Sequence, residues 1–178
     1  MKKSYLFFAL LLGCLAVLVI TGWYPVARVN GRIITYARWT RLESAATRMA
    51  SIDAQSTGGA GTAVAEAQRN TLTFLIENIL IASEGKTIVP DLAAKSRARV
   101  RDATREASTL GQSAEMTFGL NRRDFEKFIL IPQAMREILE EELTAQKKDF
   151  DAWFTDVKQN ASVDVFFVPF AWDGTEIQ

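Results

Sequence analysis

The sequence contains no histidine and a single cysteine, Cys14, among its 178 residues. Without histidine the chain cannot form a Ser-His-Asp or Cys-His catalytic arrangement, or the common zinc sites that use imidazole ligands. One cysteine excludes an intrachain disulfide and a cysteine-rich metal centre. We therefore expect a protein that is not an enzyme and that carries no cofactor and no metal.

Charge of one sign is also lacking, because 21 acidic residues balance 21 basic residues and the formal net charge is zero. A neutral chain is poorly suited to neutralise a phosphate backbone, so we expect no nucleic-acid partner. Apolar residues make up 48% of the chain. This composition fits one globular domain together with an apolar segment.

The apolar segment is at the N-terminus, where no charged residue occurs from residue 4 to residue 27. Residues 5–24, as a helix, would span about 30 Å, which is the thickness of the hydrocarbon core of a bilayer. Tyr5 marks one end, and Trp23 and Tyr24 mark the other, as is typical of interfacial aromatic residues. The pattern predicts an uncleaved membrane anchor over residues 1–25.

Two other fates of this segment remain open from the sequence. The tetrapeptide Leu-Leu-Gly-Cys, ending at Cys14, suggests lipidation, and a cleaved signal peptide is the second alternative. Lys2 and Lys3 favour a cytoplasmic N-terminus, although arginines follow closely on the other side of the segment. Because two lysines before an apolar run resemble a signal-anchor, we expect a single-pass membrane protein whose domain is extracytoplasmic.

A β-hairpin is predicted directly after this segment. Residues 26–29 and 32–34 are rich in β-forming side chains, and Asn30-Gly31 between them is the dipeptide best suited to a type I′ turn. The other convincing strand is VDVFFVPF, residues 163–170. Since an isolated hairpin is marginal in water, residues 26–34 should pair with residues 163–168 and join the two ends of the domain.

Helices are predicted between these strands. Thr35 is a plausible N-cap for a first helix, which should end near the glycines of STGGAG, residues 56–61. The apolar stripe of this helix is Trp39, Leu42, Ala46, Met49 and Ile52. A second helix should run over about 62–84, with Gly85 as its C′ residue. Its buried stripe is Leu72, Leu75, Ile76, Ile79 and Leu80.

Three further helical regions follow. Pro90 fits the first turn of a basic helix that reaches about residue 110; it is either a solvated helix or an arm for anionic lipid or an acidic partner. Asn121 and Asp124 form an N-cap pair, and Pro132 should kink the chain or start a new helix. From Pro132 to Val157 the apolar period is sustained, which predicts a helix about 40 Å long.

Four stretches in this order resemble the SurA/PpiD/PrsA-type chaperone domain of extracytoplasmic foldases. They are VARVNGRIITYARW, LTFLIENILIASEGKTIVPD, TFGLNRRDFEKFILIP and FDAWFTDVKQNASVDVFFVPF, and they extend over most of residues 26–170. Where the family has a capping Ser or Thr before its third helix, this chain has Val89-Pro90. The resemblance implies a mainly α-helical, SurA-like domain over residues 26–170, with residues 171–178 as a C-terminal tail.

The resemblance also implies a function. The parvulin prolyl isomerase domain of many members has no counterpart here, so we expect a periplasmic holdase that binds unfolded or newly exported polypeptides in an apolar cradle. Each candidate client-binding residue has core packing as its alternative role, since amphipathic helices bury one face. The candidates are Trp39, Met49, Met116, Phe118, Phe125, Phe128, Met135, Trp153 and Phe154. A structural or assembly protein, docking or dimerising through its long C-terminal helix, is the competing hypothesis.

Overall fold

The structure, a computed structural model, describes residues 21–57 and 60–178, and the side chains of these residues outside 50–64. It is mainly helical with a small antiparallel sheet, as the sequence predicts. The strands are β1 (Pro25–Val29), β2 (Arg32–Thr35) and β3 (Val163–Val165). The helices are α1 (Tyr36–Thr57), α2 (Ala60–Glu84), α3 (Leu92–Thr104), α4 (Leu110–Phe118), α5 (Arg122–Phe125), α6 (Ile131–Ala145) and α7 (Phe150–Gln159).

The sheet joins the two ends of the domain in the order β2-β1-β3. Asn30 and Gly31 both have positive φ, 46° and 81°, as a type I′ turn requires. Asn30 also binds the segment that leads into β3. Its side-chain carbonyl accepts from the Ser162 backbone amide at 2.9 Å, and its backbone amide donates to the Ser162 carbonyl at 2.9 Å. Ala27 pairs with Val165 in β3, so the predicted pairing of the two ends is confirmed, although the strand ends at Val165 and is shorter than the predicted 163–170.

Helix α2 lies at the centre of the core. Its predicted stripe is buried throughout: Leu72, Leu75, Ile76, Ile79 and Leu80. It packs against α1, α6, α7 and the hairpin. Trp39 of α1 is also buried and donates its indole N–H to the Gln68 carbonyl of α2 at 3.2 Å. The first two helices therefore pack closely against each other beside the sheet.

Several helix ends lie where the sequence predicts them. The Thr35 hydroxyl accepts from the Arg38 amide at 3.3 Å at the start of α1. The Asn121 side chain accepts from the Asp124 amide at 2.9 Å at the start of α5. Helix α1 ends and α2 begins on either side of residues 58–59, in the glycine-rich stretch. Side-chain capping and glycine entropy thus set these boundaries locally.

Gly85 is a glycine for a reason other than the one that the sequence suggests. The sequence predicts Gly85 as the C′ residue of α2, a position that is commonly left-handed, but Gly85 is not among the residues with positive φ, and a 3₁₀ turn, Gly85–Thr87, continues from the helix. A Cβ atom at this position would lie 2.6 Å from Leu139 Cδ1 and 2.8 Å from Leu92 Cδ2. Close packing of α3 and α6 against the end of α2 therefore requires the glycine.

The predicted single helix from Pro90 to about residue 110 is wrong. Helix α3 begins at Leu92 and ends at Thr104, and α4 begins separately at Leu110. The Thr104 carbonyl accepts from Arg122 Nη2 at 3.1 Å, so a side chain from a later helix satisfies part of the last turn. This long-range cap has no signal in the local sequence.

The predicted helix of about 40 Å after Pro132 is also two helices, α6 and α7. Lys147 takes the left-handed conformation with φ 58°, and the Lys148 amide donates to the Leu143 carbonyl at 2.8 Å. The Asp149 carboxylate then accepts from the Ala152 amide at 2.7 Å and caps α7. These are the marks of a Schellman end followed by a new N-cap.

Pro132 is the second residue of α6, which continues directly from the preceding helical turn, so its ring nitrogen offers no N–H to that turn. The turn before it, residues 126–130, is π-helical, and the Ile131 amide donates to the Glu126 carbonyl five residues back. This π-helical turn ends at Leu130, two residues before Pro132. The expected irregularity at this proline is therefore present, as a change of helix type.

Most of the predicted anchor, and Cys14, lie outside the described residues. The last four residues of the predicted span, 21–24, form a turn in which Gly22 has φ 66°. The Gly22 and Tyr24 carbonyls accept from the Ala37 and Tyr36 amides, both at 2.9 Å, which ties this turn to the start of α1. None of the helices in residues 21–57 and 60–178 combines the length and the apolar character that crossing a bilayer requires.

Residues 171–178 fold back onto the domain. Trp172 and Ile177 form an antiparallel bridge, and Ile177 is buried. The Ile177 amide donates to the Thr73 hydroxyl of α2 at 3.0 Å. We call these eight residues the C-terminal hairpin. It covers one side of α2.

Candidate binding groove

An open groove lies between α1, α2, the end of α4 and the π-helical turn at residues 126–130. Its volume is about 340 Å³. The lining is almost entirely aliphatic and aromatic, and it consists of Leu42, Ala45, Ala46, Met49, Asn70, Thr71, Phe74, Phe118 and Ile129. We call this set of residues the apolar groove. Its size is at the lower end of the range of ligand pockets, about 300–1,000 Å³.

The local sequence explains why the groove stays open. Ala45 and Ala46 are the small residues of α1 at this position, so α1 does not fill the space in front of Phe74. Gly119 follows α4 with φ 66° and turns the chain. Leu120 then enters the core, whereas Phe118 remains half-buried at the groove. The Phe118 ring packs against the Phe125 ring, with 5.1 Å between their centroids, and this contact orients Phe118.

A shallower section extends the apolar groove toward α6. It shares Phe74 and Ile129 with the first section and has a volume of about 230 Å³. Its other lining residues are Glu77, Asn78, Ile81, Pro132, Gln133 and Arg136. Glu77 is paired with Lys158 at 3.3 Å, and Arg136 with Glu140 at 3.0 Å. The charged groups at this end are therefore already engaged within the domain.

The chemistry of the first section is limited to apolar burial. The nine described lining residues include no titratable side chain. The Thr71 hydroxyl donates to the Ala67 carbonyl at 2.6 Å, so it requires no partner from a ligand. A bound apolar side chain would gain about 25 cal/mol for each Å² of apolar surface removed from water. Such contacts are non-directional and discriminate little between apolar side chains.

The predicted site residues divide into three groups. Met49, 40% exposed, and Phe118 line the apolar groove. Trp39, Phe128 and Phe154 are buried members of the core. For these three residues, the structure shows the core-packing alternative that the sequence left open.

The other four candidates lie outside the groove lining. Phe125 supports Phe118, as described above, and Met135 is partly buried against the core. Trp153 packs with Phe150, 5.5 Å between ring centroids, in an aromatic cluster on α7. Met116 is 69% exposed on α4. The structure therefore brings together two of the nine candidates, and α7 contributes no residue to the described groove lining.

Two important lining residues were missed in the sequence. Phe74 and Ile129 lie at the junction of both sections of the groove. Phe74 is next to Leu75, which belongs to the buried stripe of α2. Helical periodicity does not indicate that Phe74 is half-buried in a groove whereas Leu75 is in the core. Ile129 lies in the π-helical turn, whose extra residue shifts the helical phase, so a period of 3.6 misplaces it.

One charged residue is partly buried beside the core. The Arg38 guanidinium lies 5.7 Å from the centre of the Phe128 ring, within cation–π distance. Burial lowers the pKa of Arg38 from its usual value. Its Nε is buried with no hydrogen-bond partner in the described part of the chain. We interpret Arg38 as a packing partner of Phe128, because it is not among the residues that line the groove.

Comparison with known proteins finds no match: no family model, no curated protein and no solved structure is similar to this chain. Within residues 21–57 and 60–178, no cluster of carboxylate or sulfur ligands is placed to hold a metal ion.

Proposed function

We propose that this protein is a membrane-tethered, extracytoplasmic holdase that binds apolar segments of unfolded or newly exported polypeptides in the apolar groove. The observation that carries the proposal is the composition of the groove. It is an open apolar surface, lined by Phe74, Phe118 and the flexible Met49, inside a domain whose other large apolar residues mostly pack in the core. Ligand-binding sites are typically concave and mostly apolar, as this groove is.

Two features of the sequence favour an unfolded polypeptide as the occupant. The ordered series of motifs resembles SurA/PpiD/PrsA-type chaperone domains, and the uncharged stretch from residue 4 to residue 27 provides a tether near the site of export. A groove without charged lining residues suits varied clients, since Met and aromatic side chains adapt to different shapes. The proposed topology has a cytoplasmic N-terminus and an extracytoplasmic domain.

The geometry also sets the expected strength of binding. A groove of about 340 Å³ accommodates a short apolar segment rather than a folded surface. Each client loses conformational entropy on binding, so we expect affinities in the micromolar range or weaker. Tethering raises the local concentration of the groove around exported chains, which makes weak binding sufficient. Binding should change little with salt, because the lining of the first section carries no charge.

The test uses two methionines of the full-length protein as a matched pair. Met49→Ser removes an apolar side chain from the groove, whereas Met116→Ser removes one that is more exposed and lies outside the lining. Suppression of aggregation of a chemically unfolded client should fall with Met49→Ser and remain unchanged with Met116→Ser. Both variants should unfold within about 0.5–1 kcal/mol of the parent, because both side chains are exposed.

A second substitution extends this comparison. Phe118→Ser should weaken client binding more than Met49→Ser, since it removes a larger apolar wall of the groove. Phe128 is unsuitable for the same purpose, because it is buried and its loss should destabilise the fold. Equal client binding by the Met49, Met116 and Phe118 variants and the parent would show that the groove is not the site.

The structural or assembly role remains the competing proposal. It relied on one long C-terminal helix, and the structure divides that helix into α6 and α7 at residues 146–149. Light scattering of the full-length protein in detergent distinguishes the two proposals. A tight dimer that binds no unfolded peptide would favour assembly, and a monomer that binds peptide would favour the holdase.

A further inference from the structure

Two large aromatic side chains are exposed where the described chain begins. Trp23 is 70% exposed and Phe167 is 82% exposed. Tyr24 follows Trp23 in the chain, and its ring meets Phe167 edge-on at 6.3 Å and stacks on Tyr36 at 4.8 Å. We call Trp23, Tyr24 and Phe167 the aromatic edge. Tyr24 and Phe167, which are 143 positions apart in the sequence, thus contribute to one surface, and Trp23 directly precedes Tyr24.

The backbone of Phe167 shows that its exposure is built into the fold. Its φ is 56°, in the left-handed region that residues with a side chain rarely adopt. This conformation costs on the order of 1 kcal/mol for a residue other than glycine. Val168 and Phe170 pack against the core, whereas the turn directs Phe167 away from it. The ring meets the Tyr24 ring edge-on and the Phe166 ring at a tilt and stays largely exposed, so a surface that receives the ring is expected.

The aromatic edge lies where the uncharged N-terminal stretch enters the domain. Only three positions separate residue 20 from Trp23, and no charge occurs between residues 4 and 27. The turn at residues 21–24 is held to α1 by two backbone hydrogen bonds of 2.9 Å, at Gly22 and Tyr24. A membrane segment N-terminal to this turn would therefore leave the bilayer at a fixed place beside the aromatic edge.

Basic residues lie next to the same turn. A cleft of about 540 Å³ is lined by Thr21 and Gly22 on one side and by Arg41 and Arg48 of α1 on the other. Arg41 is exposed and pairs with Asp124 at 3.4 Å, a length that contributes little at a surface. Aromatic side chains together with arginines are typical of the boundary between lipid and water.

We propose that the aromatic edge rests on the lipid–water interface, with Trp23 and Phe167 among the headgroups and with Arg41 and Arg48 facing lipid phosphates. The inference depends on the membrane tether of the proposed function and adds a defined orientation to it. Phe118 and Ala45 line both the arginine cleft and the apolar groove. The orientation therefore places the client groove beside the membrane surface, where exported chains emerge.

The position of residue 167 relative to lipid tests this proposal. Trp23 is a poor probe, since any tethered domain keeps it near the membrane. Residue 167 is also near the tether, through its contact with Tyr24, but its side chain enters lipid only in the proposed orientation. In full-length protein carrying Cys14→Ser, Phe167→Cys receives a spin label, which replaces the apolar ring with another apolar group. Lys147→Cys is the matched control, because Lys147 is also exposed and left-handed, with φ 58°, in the α6–α7 loop.

The labelled proteins are placed in bilayer nanodiscs that contain anionic lipid. We expect the label at 167 to collide more often with oxygen, which concentrates in lipid, and the label at 147 to collide more often with a water-soluble nickel chelate. For the label at 167, nickel collisions should be fewer in bilayers than in aqueous buffer. For the label at 147, they should be the same in both. Circular dichroism of both variants should match that of the parent.

Different failures have different meanings. If the protein stays in the membrane after carbonate washing but the label at 167 is as accessible to nickel as the label at 147, the orientation is wrong and the tether stands. If carbonate releases the protein, the tether itself fails. Protection of 167 from both reagents, only at high protein-to-lipid ratios, would assign the aromatic edge to contact with a second copy.

Discussion

Two neighbouring residues of α2, Thr73 and Phe74, face very different surroundings. On the Thr73 side the C-terminal hairpin covers the helix, and the Ile177 amide donates to the Thr73 hydroxyl across 104 positions of sequence. On the Phe74 side no described segment covers the helix, and the apolar groove remains open. Phe74 is the more apolar of the two residues, so side-chain type does not decide which side is covered. The return of a distant segment decides it.

This difference separates structural from binding roles. An apolar side chain that is covered contributes to folding through burial, whereas one that is left open can contribute to binding. The covered side of α2 includes Leu80, and the open side includes Met49 of the facing helix. Substitutions on the two sides should therefore affect different measurements, stability on one side and client binding on the other.

The largest effect is expected at Leu80, which is fully buried. Leu80→Ala should lower the free energy of unfolding by about 2–5 kcal/mol, through lost burial and the cavity that remains. Met49→Ala, on the open side, should lower it by less than about 1 kcal/mol. Denaturant unfolding of the full-length protein in detergent measures both. Similar losses in the two variants would mean that the groove is part of the core.

A smaller loss is expected when the covered side is overfilled. Gly85→Ala places a Cβ atom within 2.6 Å of Leu139 Cδ1, and both leucines around it are buried. Overpacking of this kind typically costs about 1–3 kcal/mol. Leu139→Ala makes room for the new methyl group, so the two substitutions together should cost less than the sum of their separate losses. Strict additivity would place the strain somewhere other than this contact.

The sequence predicted the features that depend on neighbouring residues. Asn30-Gly31 specified the hairpin turn, Thr35 and Asn121 specified helix starts, and the stripe of α2 specified which residues are buried. Each of these has a local physical cause, whether backbone φ, a side-chain cap or helical periodicity.

The features that the sequence did not predict depend on contacts between distant segments. The end of α3 at Thr104 involves Arg122, and the glycine at 85 is required by Leu139. Asp149 before an apolar run was a local sign of a new helix that the sustained apolar period concealed. The candidate site was predicted least well, because Phe128 and Phe118 look alike in sequence, and only the surrounding helices bury one and leave the other half open.

A milder change is to weaken the C-terminal hairpin, which covers the Thr73 side of α2. Asp173 organises the C-terminal hairpin: its carboxylate accepts from the Glu176 amide at 2.9 Å, the Thr175 hydroxyl at 2.8 Å and the Thr175 amide at 2.7 Å. Hydrogen bonds from the Glu176 amide, then from Thr175, lower the pKa of Asp173 from 3.8 to about 2. Asp173→Asn removes the charge and should increase hydrogen exchange of the amide of Ile177.

The pH dependence of the hairpin follows from the direction of that shift. Because the folded-state pKa of Asp173 is lower than the unfolded value of 3.8, its contribution to stability is complete above 3.8 and is lost as the pH falls toward about 2. Protection of the Ile177 amide should therefore decrease between pH 4 and pH 2 in the parent, about the window set by these values. In Asp173→Asn this decrease should be smaller; an identical profile would mean that other groups control the hairpin.

The smallest effect is expected in the sheet, where β3 pairs with β1. Arg28 Nη2 lies 2.8 Å from Asp164 Oδ2, and Arg28 Nε lies 3.1 Å from the same oxygen. Both side chains are about half exposed, so water and salt screen the pair, and such pairs contribute about 0–1 kcal/mol. Asp164→Ala should therefore lower the free energy of unfolding by no more than about 1 kcal/mol, and a double-mutant cycle with Arg28→Ala isolates the coupling energy of the pair.

The coupling energy between Arg28 and Asp164 should decrease further near 1 M salt, where the screening length falls to about 3 Å. β3 would then be held mainly by its backbone ladder to β1 and by the two hydrogen bonds between Asn30 and Ser162. A coupling energy above about 2 kcal/mol that persists in salt would instead make this ion pair, rather than the ladder, the main attachment of the covering strand.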